Sequence, residues 1–223
     1  MRLHPMATAP SAIDSMQKES ALSLATDSTT SINHAKTAQT STPINDVLAE
    51  RWSPRSYDAS APLDEQKLTA ALEAARWAPS AANSQPSRFV VARRGSGAFD
   101  TIVANLKGFN SVWATSAGAL VVGVAEVTDV DGKPRPWAKY DLGQALAHLS
   151  IQAHHDGLHV HQMGGFDAAA LSEAFNIDAR FEAVSVAAIG VLASPDALPD
   201  ALREREVAPR SRMPLSELIL ASE

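Results

Sequence analysis

The sequence has 223 residues, which is long enough for one domain with a substantial hydrophobic core and a tail. Its 25 Asp and Glu side chains outnumber 19 Lys and Arg side chains, and the net charge of -6 argues against a nucleic-acid partner and for a small-molecule partner. The absence of cysteine excludes a disulfide framework, a thiolate nucleophile and a cysteine zinc site, so redox chemistry would need a bound cofactor.

Residues 1–42 are mainly Ser, Thr, Ala and scattered polar residues without a sustained apolar stripe, which is typical of a disordered N-terminal extension. This extension lacks the continuous apolar region of a secretory signal. The longest apolar stretch, 117–125, is far shorter than the about 20 residues needed to span a bilayer. We therefore expect a folded domain over residues 43–223, a cytoplasmic location and no membrane partner.

Hydrophobic periodicity along residues 43–223 predicts helices and strands that interleave. Pro43 suits the first turn of a short helix, and Pro79 and Gly157 are typical ends of two longer helices. From residue 195 the chain is polar and rich in proline until an amphipathic end. The predicted helices are around 44–48 and over 64–77, 99–106, 141–155, 168–175 and 215–219, and the predicted strands are 87–92, 119–125, 158–163 and 184–192.

Two of these segments indicate the fold class. Strand 119–125 is apolar on both faces, which is typical of a central strand covered by helices on both sides. Helix 141–155 is apolar nearly all round, so we expect it to be buried, and burial on every side in a domain of this size is typical of a subunit interface. Helices and strands alternate without regular βαβ repetition, which predicts an α+β fold with a mixed central sheet.

Two basic clusters lie near the ends of the predicted domain. Arg51, Ser53 and Arg55 place two guanidinium groups and a hydroxyl in one short segment, and Arg210 and Arg212 form a second cluster. Each cluster alone is typical of a solvated basic surface. Together they could close on one anion such as a phosphate, which guanidinium groups bind through charge-assisted hydrogen bonds.

Two further segments have the composition of a site for a flat heterocycle. A loop between two prolines carries Ser80, Asn83 and Gln85, and amide side chains can donate and accept hydrogen bonds at once. Gly164 and Gly165 follow a predicted strand, where glycine lets backbone N–H groups approach a ligand closely. An ordinary loop and an ordinary turn explain the same residues equally well.

Taken together and in order, these segments resemble the successive motifs of the FMN-dependent nitroreductase family. The resemblance implies a nitroreductase-like three-layer fold and a homodimer with two FMN molecules at its subunit interface. It also implies a ping-pong mechanism, in which NAD(P)H reduces the flavin and leaves before a small acceptor, a nitroaromatic, a quinone or free flavin, takes the electrons. Because FMN carries the chemistry, no catalytic side chain is implied. The resembling segments are 51–57, 79–86, 141–157, 161–167 and 210–214.

The resemblance also implies cofactor-binding roles by position. The first basic cluster would hold the FMN phosphate, ribityl chain and pyrimidine edge, and the second would complete the phosphate clamp. The loop would line the flavin from the other subunit, Asn110 would contact the pyrimidine end, and the glycine pair would bring N–H groups to the flavin N5 and O4 region. The implied cofactor-binding residues are Arg51, Trp52, Ser53, Arg55, Ser80, Asn83, Gln85, Asn110, Met163, Gly164, Gly165, Arg210 and Arg212.

The sequence departs from the family pattern at positions that shape the pocket. Ser87 stands where many members have an aromatic residue after Gln-Pro, and Gln162 stands where a proline often precedes the flavin N5 loop. The stretch 171–180 is shorter than in larger relatives that insert helices over the flavin, so we expect a more open site. Two alternatives stay open: a dehydrogenase or dehalogenase on the same fold, and a non-catalytic flavin-binding dimer.

Histidine and aromatic residues support separate hypotheses. Five histidines between residues 148 and 161 invite a metal site, but no Cys or zincin-type Glu accompanies them, so we expect interface or surface histidines and no metal. Trp113, Trp137 and Tyr140 flank the acceptor pocket in one interpretation and anchor the core or an interface in the other.

Overall fold

A computed structural model describes residues 35–222, so most of the predicted N-terminal extension lies outside the described residues. The predicted elements are present with small changes in their bounds, and short 3-10 turns occur at Ala81–Asn83, Ala114–Ser116 and Pro195–Ala197. The strands are β1 (Ser87–Arg93), β2 (Ala119–Glu126), β3 (His159–Met163) and β4 (Phe181–Gly190). The helices are α1 (Asp46–Glu50), α2 (Glu65–Arg76), α3 (Gly97–Ala104), α4 (Asn110–Trp113), α5 (Ala138–His155), α6 (Ala168–Ala174), α7 (Asp200–Val207) and α8 (Leu215–Leu218).

The four strands form one sheet in the order β1-β2-β4-β3. Strand β2 is buried at every position, which confirms the prediction of a central strand. The α+β class is confirmed, but the predicted mixed sheet is wrong for residues 35–222, where all three strand pairings are antiparallel. Helices lie in the connections from β1 to β2 and from β3 to β4. Each connection leaves and re-enters the sheet at the same end, so the two strands that it joins run in opposite directions.

Helices cover both faces of the sheet because the side chains of β2 alternate between them. On one face, Ala119 and Val121 pack against α2 and α5. On the other face, Leu120, Val122 and Val124 pack against α3, α4 and α6. The sheet therefore forms the middle of three layers, as the sequence predicts. No helix among residues 35–222 combines the length and apolar character that crossing a bilayer requires.

Helix α5 begins at Ala138, three residues before its predicted start, and one of its faces stays exposed in the single chain. Its buried face carries Leu142, Leu146 and Leu149. The opposite face carries the exposed small residues Gly143 and Ala147. The burial on every side that the apolar sequence predicts is thus not reached within one copy of the chain.

Helix α7 lies in a region where the sequence predicts no regular structure. Only Leu202 and Glu206 of this helix are buried, and the rest of the helix is largely charged. A carboxylate on the inner face breaks the apolar periodicity by which helices are recognised. The error is informative because Glu206 proves to be important for the candidate site.

We expect Leu149→Ala to lower the free energy of unfolding by about 2–5 kcal/mol, because this side chain is fully buried between α2 and the sheet. Leu220→Ala is the matched control, since Leu220 is 98% exposed, and its effect should stay within about 0.5 kcal/mol. Urea unfolding of both variants measures the difference. Equal effects would contradict this packing of α5.

Candidate functional site

The two basic clusters meet at one cleft of about 230 Å³. The extended segment that follows α1 supplies Arg51, Trp52, Ser53 and Arg55, and the C-terminal segment supplies the other cluster. Two cations that the sequence analysis does not single out also line the cleft. The charged lining residues are Lys36, Arg51, Arg55, Arg205, Arg210 and Arg212.

The electrostatics of this cleft favour an anionic ligand. Among the described residues that line it, none carries a carboxylate. Burial lowers the pKa of Arg51, and the neighbouring charge of Arg212 lowers it further. Burial also lowers the pKa of Arg210, and the charges of Arg51 and Arg212 add to that effect. An anion between these guanidinium groups would relieve their mutual repulsion.

Glu206 holds the first basic segment in place from inside the domain. Its fully buried carboxylate accepts hydrogen bonds from the backbone N–H groups of Arg55, at 2.8 and 3.0 Å, and of Ser56, at 3.0 Å. The guanidinium of Arg55 lies 3.6 Å from the same carboxylate. Burial raises the pKa of Glu206, while the hydrogen bonds from Arg55 and Ser56 act in the opposite direction. The only sequence signal for this role is its spacing of one helical turn from Leu202.

His161 supports the same segment from β3. Its Nδ1 lies 2.9 Å from the carbonyl oxygen of Pro54, and because a carbonyl only accepts, the ring carries a proton on Nδ1. Burial lowers the pKa of His161 to about 4, so the ring is neutral near pH 7. The ring packs against Trp113, which stacks on Tyr57. Trp113 is therefore a core residue, as one of its two interpretations predicts.

The predicted flavin loop has an unusual backbone. Ala82, Asn83 and Gln85 have φ angles of 51°, 54° and 48°, in the left-handed region that residues with a side chain rarely adopt. Ser80 stabilises this conformation because its Oγ accepts a hydrogen bond of 3.0 Å from the backbone N–H of Gln85. Three such residues within four positions represent stored strain, which is typical of functional sites.

Two residues that the sequence analysis missed attach this loop to the domain. The carboxylate of Asp141, buried on α5, accepts a hydrogen bond of 3.1 Å from the N–H of Ala81. Arg135 donates a hydrogen bond of 2.9 Å to the carbonyl oxygen of Ser84. The loop is thus fixed relative to the first turn of α5.

The glycine pair after β3 is held close to Asn110. The side-chain amide of Asn110 donates to the carbonyl oxygen of Gly165 at 3.1 Å, and the N–H of Lys107 donates to the same oxygen at 2.9 Å. A Cβ atom on Gly165 would lie 2.8 Å from the Asn110 amide, so a side chain at this position would force the amide to move. Within residues 35–222, the N–H groups of Gly164 and Gly165 have no hydrogen-bond partner. Met163 is buried at the end of β3.

The loop and the basic cleft do not meet within one chain. Asp141, which holds the loop, lies near the start of α5. His154 lies near the end of α5 and interacts electrostatically with Arg51 and Arg210 of the basic cleft. An α-helix rises about 1.5 Å per residue, so the two ends are roughly 20 Å apart. No described cleft includes residues of both groups.

The remaining candidates lie outside both groups. Trp137 and Tyr140 are 61% and 63% exposed at the start of α5, where their rings contact edge to face. Among residues 35–222, no group of three or more His, Asp or Glu side chains is arranged to hold a metal ion. His154 and His159 contact each other below the basic cleft, and neither ring nitrogen of His159 has a hydrogen-bond partner in this part of the chain.

Comparisons with known proteins show which family this chain resembles. Residues 48–102 match the sequence model of the nitroreductase family. A crystal structure described as an oxidoreductase containing FMN is 36% identical, covers 83% of this chain and 95% of its own, and superposes with a TM-score of 0.78. A provisionally named nitroreductase from Desulfovibrio desulfuricans, in complex with FMN, is 25% identical, with 82% and 99% coverage and a TM-score of 0.66. A provisionally named NAD(P)H nitroreductase of Bacillus subtilis, YdgI, is 24% identical over 65% of this chain and 86% of its own.

We expect Glu206→Ala to lower the free energy of unfolding by about 1–3 kcal/mol, because it leaves the N–H groups of Arg55 and Ser56 without an acceptor. Glu206→Gln retains an acceptor oxygen and should cost less. Glu204→Ala, on the exposed side of the same helix, is the control and should have little effect. Urea unfolding gives the three values, and an equal loss for the two alanine variants would contradict the anchoring role.

Stability should fall as the pH falls from 7 to 5 in the cofactor-free protein. Burial lowers the pKa of His159 and of His161 from 6.5 to about 4. The unfolded chain therefore takes up protons first, and the stability present above pH 6.5 is lost as the pH falls towards 4, by about 2 kcal/mol per histidine at pH 5. His159→Leu should remove roughly half of this pH dependence in urea unfolding. An unchanged pH dependence would contradict the assignment.

Proposed function

The chain belongs to the nitroreductase family of FMN oxidoreductases, and we propose that it is a homodimeric enzyme that uses NAD(P)H to reduce a small acceptor by a ping-pong mechanism. The observation that carries this proposal is the basic cleft, whose described lining includes six cations and no carboxylate. Such a cleft fits the phosphate of FMN. The name of YdgI supports NAD(P)H as the electron donor.

The residues present fit FMN in two ways. Arg51, Arg55 and Arg212 would bind the phosphate through charge-assisted hydrogen bonds. The N–H groups of Gly164 and Gly165 would donate hydrogen bonds to the isoalloxazine ring where negative charge develops. When bound, FMN would accept a hydride from NAD(P)H and pass two electrons to the acceptor, with protons supplied by water. The list of proposed cofactor-binding residues is completed by Trp52, Ser53, Ser80, Asn83, Gln85, Asn110, Met163 and Arg210.

The guanidinium of Arg210 also forms hydrogen bonds within the protein. It donates hydrogen bonds to the carbonyl oxygens of Lys36, at 2.7 Å, and Ala49, at 2.8 Å. These bonds use part of its fork of donors and fix its position. We infer that Arg210 acts on the phosphate mainly through its charge, whereas Arg51 and Arg212 contact it directly.

A second copy of the chain would complete the site. The loop with Ser80, Asn83 and Gln85 lies at one end of α5 and the basic cleft at the other. The exposed face of α5, with Gly143 and Ala147, allows two such helices to approach closely. If the two helices run antiparallel about a twofold axis, the loop of each copy lies beside the basic cleft of the other.

The acceptor pocket is proposed to be open on its outer side. Between α6 and β4 the chain makes only a short turn that includes Asn176. This turn contains no inserted helix. We therefore propose a nitroaromatic, a quinone or free flavin as acceptor. Because NAD(P)H is the proposed donor, the proposal includes a cytoplasmic location.

The first test is an absorbance spectrum of the purified protein, followed by anaerobic addition of NADH or NADPH. We expect flavin bands that bleach on addition and that return when an acceptor is added. Flavin bands that do not bleach would favour a non-catalytic flavin-binding dimer. A colourless protein that does not take up added FMN would contradict the proposal altogether.

We expect Arg51→Met and Arg212→Met each to weaken FMN binding about tenfold or more, because each removes a charge-assisted hydrogen bond to the phosphate. Arg203→Met is the matched control, since Arg203 pairs with Asp200 at the surface of α7. Titration of flavin fluorescence measures the three dissociation constants. Full FMN occupancy in both cleft variants would exclude this phosphate site.

A further inference from the structure

Lys36 lies in the basic cleft although it precedes the part of the chain that resembles the family. The predicted domain begins at residue 43, and the match to the family begins at residue 48. Nevertheless, Lys36 is only 4% exposed and lines the cleft together with Arg51 and Arg55. Burial of an ammonium group is costly, so the burial of Lys36 in a segment of mainly small and polar residues needs a physical explanation.

The backbone around Lys36 ties two parts of the cleft together. The carbonyl oxygen of Lys36 accepts a hydrogen bond of 2.7 Å from Arg210, which also binds the carbonyl oxygen of Ala49. Two residues later, the N–H of Ala38 donates to the same carbonyl oxygen of Ala49 at 2.8 Å. The segment 36–38 therefore joins the C-terminal cluster to the end of α1.

Within residues 35–222, the side chain of Lys36 makes few polar contacts. Its ammonium donates to the carbonyl oxygen of Ala208 and lies 4.9 Å from the ring centroid of Trp52. An ammonium group has three N–H donors, and in the described residues only Ala208 accepts one. Burial lowers the pKa of Lys36, the charge of Glu206 opposes this change, and the charges of Arg55 and Arg210 reinforce it. An anion in the cleft would stabilise the charged lysine.

We propose that Lys36 binds the phosphate group of the flavin cofactor, so that the segment before the family domain forms one wall of the cofactor site. This inference rests on the proposed function. Lys36 would supply a cation directly, and its backbone would position Arg210.

The test compares FMN with riboflavin, which has the same ring and ribityl chain but no phosphate. Lys36→Met in the full chain should weaken FMN binding about tenfold or more and leave riboflavin binding unchanged. Lys36→Arg, which keeps the charge, should retain most of the FMN affinity. Lys133→Met removes a cation from an exposed turn and should change neither affinity. Fluorescence titration gives all dissociation constants, and circular dichroism checks that each variant is folded.

Two results would overturn the inference. FMN binding of Lys36→Met that equals that of the wild-type protein would show that Lys36 does not contact the phosphate. An equal loss of FMN and riboflavin affinity would show that Lys36 only maintains the structure of the cleft. These results differ from a failure of the proposed function, in which the wild-type protein itself binds no FMN and this inference falls with it.

Discussion

The structure of the candidate site depends on the buried carboxylate of Glu206. It accepts the backbone N–H groups of Arg55 and Ser56 and thereby fixes the extended segment that carries Arg51 and Ser53. A buried carboxylate is costly unless its oxygens accept hydrogen bonds or meet a cation, and here both occur. The same charge lies close to Lys36. One acidic side chain thus offsets part of the mutual repulsion among the cations of the basic cleft.

Helix α5 determines how the rest of the site is divided. Its inner face forms the core with α2 and β2, and Asp141 in its first turns holds the strained loop. Its end lies beside the basic cleft. Because α5 is long and rigid, it keeps the loop with Ser80, Asn83 and Gln85 apart from the basic cleft within one chain. If a second copy packs with its α5 antiparallel, the loop of one copy would lie beside the basic cleft of the other. Assembly and cofactor binding would then be coupled in the proposed enzyme.

The strained loop shows how the chain offsets an unfavourable backbone. Ala82, Asn83 and Gln85 occupy the left-handed region, at a cost of order 1 kcal/mol or more each. Hydrogen bonds to Ser80 and Asp141 compensate this cost. If the loop contacts the flavin as proposed, this fixed backbone would reduce the entropy lost on binding.

The sequence by itself determined the elements whose signal is local: the apolar strand β2, the long helix α5, the basic segment with Arg51 and Arg55, and the order of motifs that indicates the family. Only the tertiary structure revealed Glu206, Asp141 and Lys36. Glu206 contacts a residue 151 positions away, and Lys36 contacts one 172 positions away. The antiparallel pairing of the strands was also revealed only by the tertiary structure. Periodicity reports how one segment meets its surroundings, whereas a buried charge is explained only by the distant groups that the fold brings to it.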